Sequence, residues 1–216
     1  MNKTLNMALV GASGVVGKKI LQLLEKKGIQ VDKLFPLGSS TVGQTVHFQN
    51  QDYVIGSLDD FDPTDANITI FSAGGSVAKQ YARKFVEAGN YVIDLSSEFR
   101  YEDDVPLIIP EINGSIVENL DEPTLIANPN CSTSQLLMVL KPIHEQFGIE
   151  FLNIATYQAV SGTGKEAVEE HMMSNFENDP RSYAIELVED GTISAEQMVL
   201  VLAKFMSTDD VREALD

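Results

Sequence analysis

The apolar positions of this chain fall into short runs separated by amphipathic stretches. Five runs are rich in aliphatic and aromatic residues and are short enough to be strands, at residues 7–10, 34–37, 68–71, 91–95 and 125–127. Two stretches between them, residues 15–27 and 77–88, carry apolar residues three or four positions apart, which predicts helices. Alternating strands and helices of this kind predict a parallel sheet with helices on both faces.

The pattern is less regular beyond residue 130. Residues 132–147 predict a further helix that ends at Gly148, with Pro142 inside it expected to bend or divide it. Residues 151–158 predict a strand that leads into a turn of small residues at 161–164. A loop follows at residues 175–182. Residues 194–206 and 207–216 then predict two short helices, each begun by a serine with acidic residues in its first turn.

The turn between the first strand and the first helix reads GASGVVG, a G-x-x-G-x-x-G spacing. Glycines in this position let backbone N–H groups and the helix amino terminus approach a pyrophosphate. The alternative is a tight strand-to-helix turn without a ligand. If the loop binds a dinucleotide, its cofactor contacts are predicted at Gly11, Ser13, Gly14, Val15, Val16 and Gly17.

The end of the second predicted strand bears on which dinucleotide could bind. An acidic residue there binds the ribose 2′-hydroxyl of NAD and repels the 2′-phosphate of NADP. This chain instead carries Ser39, Ser40 and Thr41, whose hydroxyls can donate hydrogen bonds to phosphate. The segment therefore favours NADP over NAD, and the alternative is a plain polar turn.

Composition narrows the class of protein. The chain has 216 residues, a single cysteine and a formal net charge of −17. One cysteine excludes an internal disulfide framework, which fits the cytoplasm. Without a visible basic patch, so negative a chain is not expected to bind nucleic acid or anionic lipid. No run approaches the roughly 20 apolar residues that span a bilayer, and the apolar run near the amino terminus is read as a strand rather than a signal peptide. No metal site is predicted.

The single cysteine, Cys131, lies in the segment NPNCSTSQ, just before a predicted helix. The positive end of a helix dipole stabilises a thiolate, which suits a nucleophile. The preceding Asn-Pro-Asn turn can expose the thiol, and Asn130 could donate a hydrogen bond to a developing oxyanion. The alternative is that Cys131 is a small buried packing residue.

Several segments together resemble one known family, the aspartate-β-semialdehyde dehydrogenases. They are GASGVVG at 11–17, FSAGGS at 71–76, IDLSSEFR at 93–100, VPLIIPEIN at 105–113, NPNCSTSQ at 128–135 and TYQAVSGTG at 156–164. The resemblance covers residues 5 to about 170. It implies an NADPH-dependent reduction of β-aspartyl phosphate to aspartate semialdehyde and phosphate through a covalent cysteine intermediate, on the route to lysine, threonine and methionine.

The resemblance also implies roles for individual residues. Cys131 matches the nucleophile, Asn130 helps to hold the reacting carbonyl, Gln158 orients the intermediate, and Arg100 binds phosphate. A guanidinium suits bidentate phosphate recognition. The alternatives are that Arg100 forms an ion pair with Glu98 and that Gln158 is an ordinary strand residue. Further cofactor contacts are implied at Ser72, Ala73, Gly74, Gly75, Ser161 and Gly162.

The expected organisation follows from this resemblance. We expect an α/β protein with a Rossmann-type doubly wound parallel sheet, a truncated second α+β domain and a short helical tail. The expected bounds are residues 1–130 for the NADP-binding domain, 131–173 for the start of a catalytic and dimerisation domain, and 174–216 for a tail in which we find no resemblance. The resemblance also implies a homodimer acting on a small-molecule substrate.

The sequence departs from the family pattern after the cysteine. The family carries a catalytic histidine and a carboxylate-binding arginine in its second domain, and neither has a match in this chain. The histidines are His47, His144 and His171, and none lies in the expected context. Two classes of function therefore stay open, an oxidoreductase with the family's chemistry and a catalytically impaired NADP-binding or interaction protein.

Overall fold

The computed structural model of the chain describes residues 4–156. Except for Thr156, these residues belong to the first of two compact units, Met1–Ala155 and Thr156–Asp216. The strands of the described residues are β1 (Asn6–Val10), β2 (Lys33–Gly38), β3 (Thr45–Phe48), β4 (Gln51–Val54), β5 (Gly56–Ser57), β6 (Ile68–Phe71), β7 (Tyr91–Asp94) and β8 (Leu125–Ala127). Their helices are α1 (Val15–Lys26), α2 (Gly75–Glu87), α3 (Pro110–Asn113), α4 (Ser115–Glu118) and α5 (Cys131–Phe147), with a short 3-10 helix at Pro63–Asp65.

Six of these strands form one parallel sheet in the order β5-β2-β1-β6-β7-β8. The chain moves outward from β1 through β2 to β5 and then returns to the other side of β1 with β6. This reversal is the mark of a doubly wound sheet, so the predicted Rossmann-type fold is confirmed. The five strands predicted within residues 7–127 are all present.

The two faces of the sheet bury separate groups of side chains. Met7 and Leu9 of β1 pack with α1 on one face, in a cluster that includes Leu21 of that helix. Ala8 and Val10 point to the opposite face, where Phe85 of α2 is buried. Because successive strand residues alternate between faces and both faces are covered, the central strands are apolar at consecutive positions. This is why short continuous apolar runs marked them in the sequence.

The hairpin of β3 and β4 was not predicted. Its two-residue turn places Gln49 and Asn50 at positive φ, 50° and 60°, as a twisted hairpin turn requires. Gln49 is fixed against the end of α1, since its backbone N–H donates to Glu25 Oε1 at 2.6 Å and its side-chain amide donates to the Ile29 carbonyl at 2.9 Å. The hairpin buries Phe48 against the α1 face of the sheet.

Two other predictions need correction. Helix α5 is continuous from Cys131 to Phe147, so Pro142 does not divide it, and the alternative that Pro142 bends the helix stays a prediction. Pro142 is exposed, and water can solvate the carbonyl oxygen that a proline leaves without an N–H donor. The strand predicted at 151–158 is not found in its described part, because residues 151–156 have no regular secondary structure. Residues 157 and 158 lie outside the described range.

The expected domain bounds at residues 130 and 173 stay predictions. The second α+β domain and the helical tail fall largely beyond residue 156, outside the described part of the chain. Within residues 4–156, no helix is both long and apolar enough to cross a membrane.

A buried polar network ties the sheet to the loops at the amino ends of its strands. Thr69 of β6 and Asn90, just before β7, are both fully buried. The Thr69 hydroxyl donates to Asn90 Oδ1 at 2.9 Å, and the Asn90 amide donates to the Pro63 carbonyl at 2.8 Å. Buried polar atoms stabilise a fold only when they are paired, so this network is sensitive to the loss of either partner.

We expect Thr69→Val to lower the free energy of unfolding by about 1–3 kcal/mol, because it keeps the side-chain shape but leaves the Asn90 carbonyl oxygen without its donor. Chemical denaturation measures this change. The matched control is Thr69→Ser, which keeps the hydroxyl and removes one methyl group, and it should cost less. A valine variant as stable as the parent would contradict the network's importance.

Candidate functional site

The loops that follow the parallel strands meet along the carboxyl edge of the sheet. The loop after β1 begins at Gly11, that after β6 at Ser72, that after β7 at Leu95 and that after β8 at Asn128. The strand order reverses between β1 and β6. Ligands of doubly wound sheets bind in the crevice at this reversal, which makes the carboxyl edge the candidate site.

The glycine loop after β1 is shaped by close contacts between backbone atoms. Gly11 has φ of 85°, and a side chain there would begin 2.9 Å from the carbonyl carbon of Ser72. A side chain at Gly17 would begin 2.3 Å from the Gly11 carbonyl oxygen. These two positions therefore exclude any other residue. Gly14, Val15 and Val16 are exposed at the amino end of α1, so the helix terminus is open to a pyrophosphate.

The segment after β2 lies next to this loop. Ser39 and Ser40 are exposed, and Thr41 is half-buried. The hydroxyl oxygens of Ser13 and Thr41 lie 3.1 Å apart, within hydrogen-bonding distance. The glycine loop and the predicted 2′-phosphate segment are thus in direct contact, and the serine hydroxyls remain open to a ligand. These residues fit a dinucleotide cofactor.

The loop after β6 completes this side of the crevice. The backbone N–H and the hydroxyl of Ser72 both donate to the Val10 carbonyl, at 2.9 and 2.8 Å. Ser72 thereby holds β6 against the end of β1, a structural role that its side chain would have with or without a cofactor. Ala73 and Gly74 are exposed, and Gly74 has φ of 91° before the start of α2.

The loop after β7 contains a buried carboxyl group. Asp94 is fully buried at the end of the strand. The backbone N–H and the hydroxyl of Ser96 donate to its carboxyl oxygens at 3.0 and 2.7 Å. Burial raises the pKa of Asp94, while the bonds from Ser96 and the positive charge of Arg100 act against that shift.

Arg100 makes a different contact from the ion pair considered as its alternative role. Glu98 pairs with Lys79 of α2, with Nζ and Oε1 2.9 Å apart, and this pairing raises the pKa of Lys79. Arg100 is half-buried, and its Nε donates to the Asn128 carbonyl at 2.9 Å. The contact brings the candidate phosphate-binding residue against the loop that leads to Cys131.

Cys131 is the first residue of α5, and it is exposed. The alternative of a buried packing cysteine is therefore not found. Asn130 is the N-cap, and its Oδ1 accepts from the backbone N–H of Ser132 at 3.0 Å and from the Ser132 hydroxyl at 2.7 Å. The Cys131 Sγ lies 3.7 Å from the same oxygen. Because Oδ1 is engaged in capping, Asn130 can offer its amide N–H₂ to a ligand.

The structure thus brings most predicted site residues to one edge and adds others. Asp94, Lys79 and Asn128 were not predicted to contribute, although the Asp-x-Ser spacing in IDLSSEFR is typical of a carboxyl group that accepts a bond from the backbone two residues later. Gln158, Ser161 and Gly162 lie outside the described residues, so their roles stay predictions.

Comparison with known families gives two matches. A family model described as "Semialdehyde dehydrogenase, NAD binding domain" matches residues 6–120, more than half of the chain. A model described as "Semialdehyde dehydrogenase, dimerisation domain" matches residues 140–204. The second match extends beyond residue 173, into the segment where the sequence alone gave no resemblance.

Individual relatives agree with these models. The aspartate-semialdehyde dehydrogenase of Shewanella violacea is 48% identical over 171 residues, which cover 79% of this chain and 51% of that protein. The crystal structure of aspartate semialdehyde dehydrogenase II from Vibrio cholerae matches with a TM-score of 0.77 at 39% identity, covering 84% of this chain and 54% of that one. Its structure complexed with ASA matches with a TM-score of 0.65 at 40% identity, covering 68% and 49%. The chain spans about half the length of the curated relatives it matches.

Asp94 should give the chain's stability a characteristic pH dependence. Its folded pKa is raised above the ordinary value of 3.8, so its contribution is fully present below that value and is lost as pH rises through the folded pKa. Asp94→Asn has no such loss, because an amide does not titrate. We therefore expect the stability of the variant relative to the parent to increase from about pH 4 to about pH 7, measured by chemical denaturation.

Asp104→Asn is the control with the opposite sign. Arg83 holds the pKa of Asp104 below its usual value through hydrogen bonds at 2.7 and 3.1 Å. The contribution of Asp104 is present above its ordinary pKa and is lost as pH falls, so its amide variant should become relatively less stable as pH rises. A relative stability of Asp94→Asn that does not change with pH would show that burial of Asp94 does not favour its protonated form.

Proposed function

The chain belongs to the semialdehyde dehydrogenase family, and from that premise we propose that it carries out the NADPH-dependent reductive dephosphorylation of β-aspartyl phosphate, with Cys131 as the nucleophile. The product would be aspartate semialdehyde, a precursor of lysine, threonine and methionine. The observation that carries the proposal is the exposed Cys131 at the first position of α5, beside Asn130 and close to the loop held by Arg100.

The geometry supports a covalent route that starts at Cys131. The thiolate attacks the acyl carbon of the substrate, a carbon–sulfur bond forms, and the bond to the phosphate oxygen breaks. Cys131 lies at the amino terminus of the 17-residue helix α5, where the positive end of the helix dipole faces the reacting groups. The products of this step are a thioester on Cys131 and inorganic phosphate.

Two neighbouring side chains suit the charges that change during this step. The Arg100 guanidinium neutralises the phosphate as it leaves and can bind it in a bidentate manner. The Asn130 amide N–H₂ donates to the carbonyl oxygen as that oxygen gains negative charge. When bound, the nicotinamide cofactor supplies the hydride that reduces the thioester.

We also propose NADP as the preferred cofactor. The match to an NAD-binding domain establishes a dinucleotide-binding domain without fixing the choice between NAD and NADP. The exposed hydroxyls of Ser39 and Ser40 support NADP, since no carboxylate stands among residues 37–41 to repel the 2′-phosphate. The match to a dimerisation domain supports a homodimer.

Cofactor binding without turnover is a second candidate function. The six-stranded sheet, the glycine loop and the 37–41 segment all lie within the described residues. A dinucleotide could therefore bind to this part of the chain without the catalytic steps at Cys131. Turnover measurements separate the two candidates, because both bind the cofactor and only one forms product.

We expect the purified chain to reduce NADP only slowly in the presence of aspartate semialdehyde and phosphate, because neither the catalytic histidine nor the carboxylate-binding arginine implied by the resemblance has a match among its residues. Cys131→Ala should lower this rate by on the order of 10³-fold or more, because it removes the covalent nucleophile. The measurement is NADPH formation over time, with and without phosphate. Thr133→Ala, at an exposed position in the same helical turn, is the matched control and should retain the parent rate. A chain that binds cofactor with no turnover would favour the second candidate.

We expect the chain to bind NADPH more tightly than NADH, as measured by fluorescence titration. Ser39→Asp should weaken NADPH binding selectively, because its carboxylate would repel the 2′-phosphate. Two like charges about 4 Å apart repel by roughly 1 kcal/mol in bulk water and by roughly 4 kcal/mol near a protein surface. Ser39→Asn introduces a side chain with the shape of aspartate and no charge, so it should retain most of the preference for NADPH. Equal weakening of both cofactors by Ser39→Asp would show that residue 39 does not face the 2′-position.

A further inference from the structure

The loop between β8 and α5 has few backbone hydrogen bonds of its own. Pro129 has no N–H, and the Asn130 carbonyl already accepts from the Ser134 N–H at 3.0 Å as the first bond of the helix. Asn128 holds the start of the loop, since its N–H donates to the Asp94 carbonyl at 2.8 Å. The Asn128 carbonyl accepts from Arg100 Nε at 2.9 Å. Arg100 thus holds the chain at Asn128, three residues before Cys131.

The guanidinium of Arg100 has enough N–H donors to bind two partners at once. Its Nε faces the Asn128 carbonyl. Among residues 4–156, neither Nη1 nor Nη2 has a hydrogen-bond or salt-bridge partner. These two nitrogens form the end of the planar fork, which binds two oxygens of one phosphate side by side. Phosphate bound there would leave the Nε bond intact.

We propose that Arg100 is a positioning residue for the Cys131 loop, through Nε and the Asn128 carbonyl, in addition to binding phosphate through Nη1 and Nη2. The proposal rests on the proposed function for its phosphate-binding part. Because the guanidinium is rigid and planar, an anion that fixes its outer edge also fixes the direction of Nε. Phosphate binding and loop order are therefore coupled, and the coupling acts in both directions.

Two substitutions separate these tasks atom by atom. In Arg100→Gln, the side-chain amide nitrogen takes the position of Nε, so a donor to Asn128 remains and the charged fork is lost. In Arg100→Lys, a methylene takes the position of Nε and the ammonium lies where the guanidinium carbon was. The lysine variant therefore keeps a charge for phosphate and loses the donor aimed at Asn128.

The test combines amide hydrogen exchange of the purified chain with titration of inorganic phosphate. Exchange is followed in a peptide that covers residues 126–134, and β7, residues 91–94, serves as the internal reference for global opening. Without phosphate, we expect Arg100→Lys to exchange about fivefold faster in the loop, the change that one hydrogen bond of ordinary net strength gives. Arg100→Gln should exchange like the parent.

For phosphate affinity, we expect the two variants to rank in the opposite order, with Arg100→Lys above Arg100→Gln. Phosphate should bind the parent and slow exchange of the loop, whereas Arg100→Gln should lose phosphate affinity by about tenfold or more, as expected when a charged bidentate contact is removed. Arg100→Lys should keep part of the affinity, but phosphate should not slow its loop, because a methylene stands where Nε donates to the Asn128 carbonyl and the bound anion has no donor there to orient.

Two results would overturn the positioning role. One is a glutamine variant whose loop exchanges as fast as that of the lysine variant, which would assign the effect to charge. The other is a lysine variant whose loop matches the parent both with and without phosphate. If the parent binds no phosphate, the phosphate-binding part of the proposed function fails, and the comparison of the two variants without phosphate still decides the positioning role.

Discussion

The hydrogen-bond ladder of the parallel sheet continues past the ends of its strands, and the candidate site depends on this continuation. The first N–H of each of four loops donates to a carbonyl in the last two residues of the neighbouring strand: Gly11 to Leu37 at 2.9 Å, Ser72 to Val10 at 2.9 Å, Leu95 to Phe71 at 3.0 Å and Asn128 to Asp94 at 2.8 Å. Each hydrogen bond therefore fixes the position of a loop, measured along the strand direction, relative to the neighbouring strand. The side chains that the loops carry inherit this register, which is why residues far apart in the sequence reach a common edge.

The same set of hydrogen bonds accounts for polar groups whose burial without a partner would lower the free energy of unfolding. Asp94 accepts the Asn128 N–H through its backbone carbonyl, and its side chain is buried at the end of β7, where Ser96 donates two hydrogen bonds to it. Loop 94–100 then turns toward β8, and Arg100 meets Asn128. The last residue of β7 and the segment that follows thus hold the loop after β8 at both the N–H and the carbonyl of Asn128. The buried carboxyl group and the arginine belong to one arrangement.

The sequence predicted those parts of the fold that depend on local pattern and full burial. The central strands were found because both of their faces are covered, which makes consecutive residues apolar. The β3–β4 hairpin was missed because Val46 and Phe48 are too few buried positions to establish a period of two, and because its turn has Gln49 and Asn50 where glycine would have been a clear signal. Periodicity at 151–158 suggested a strand, but a strand also requires a neighbour with free backbone groups, and local pattern does not reveal one.

Some residues of the candidate site have a local sequence pattern, and others are brought together only by the tertiary structure. The glycine loop and Cys131 each combine a spacing with a predicted helix start, so the sequence indicated both. The pairing of Glu98 with Lys79, which frees Arg100 for Asn128, joins segments 19 residues or more apart in the chain and has no local signature. Family resemblance identified Arg100 as a candidate without indicating that contact. Only the register of the loops shows what its Nε does.

An acidic protein that is proposed to bind anions must attract them over short distances. The chain carries a formal charge of −17, so its distant field repels a phosphorylated ligand. At physiological ionic strength, charges separated by more than about 8 Å are largely screened from one another, which weakens this repulsion. Groups in direct contact with the ligand are screened far less. In the proposed function, the backbone N–H groups at the start of α1, the amino end of α5 and the outer fork of Arg100 are such groups, and the ladder fixes the loops that lead into both helices. The proposed site therefore needs no basic patch, since a few donors placed by the fold would do the work of a large positive surface.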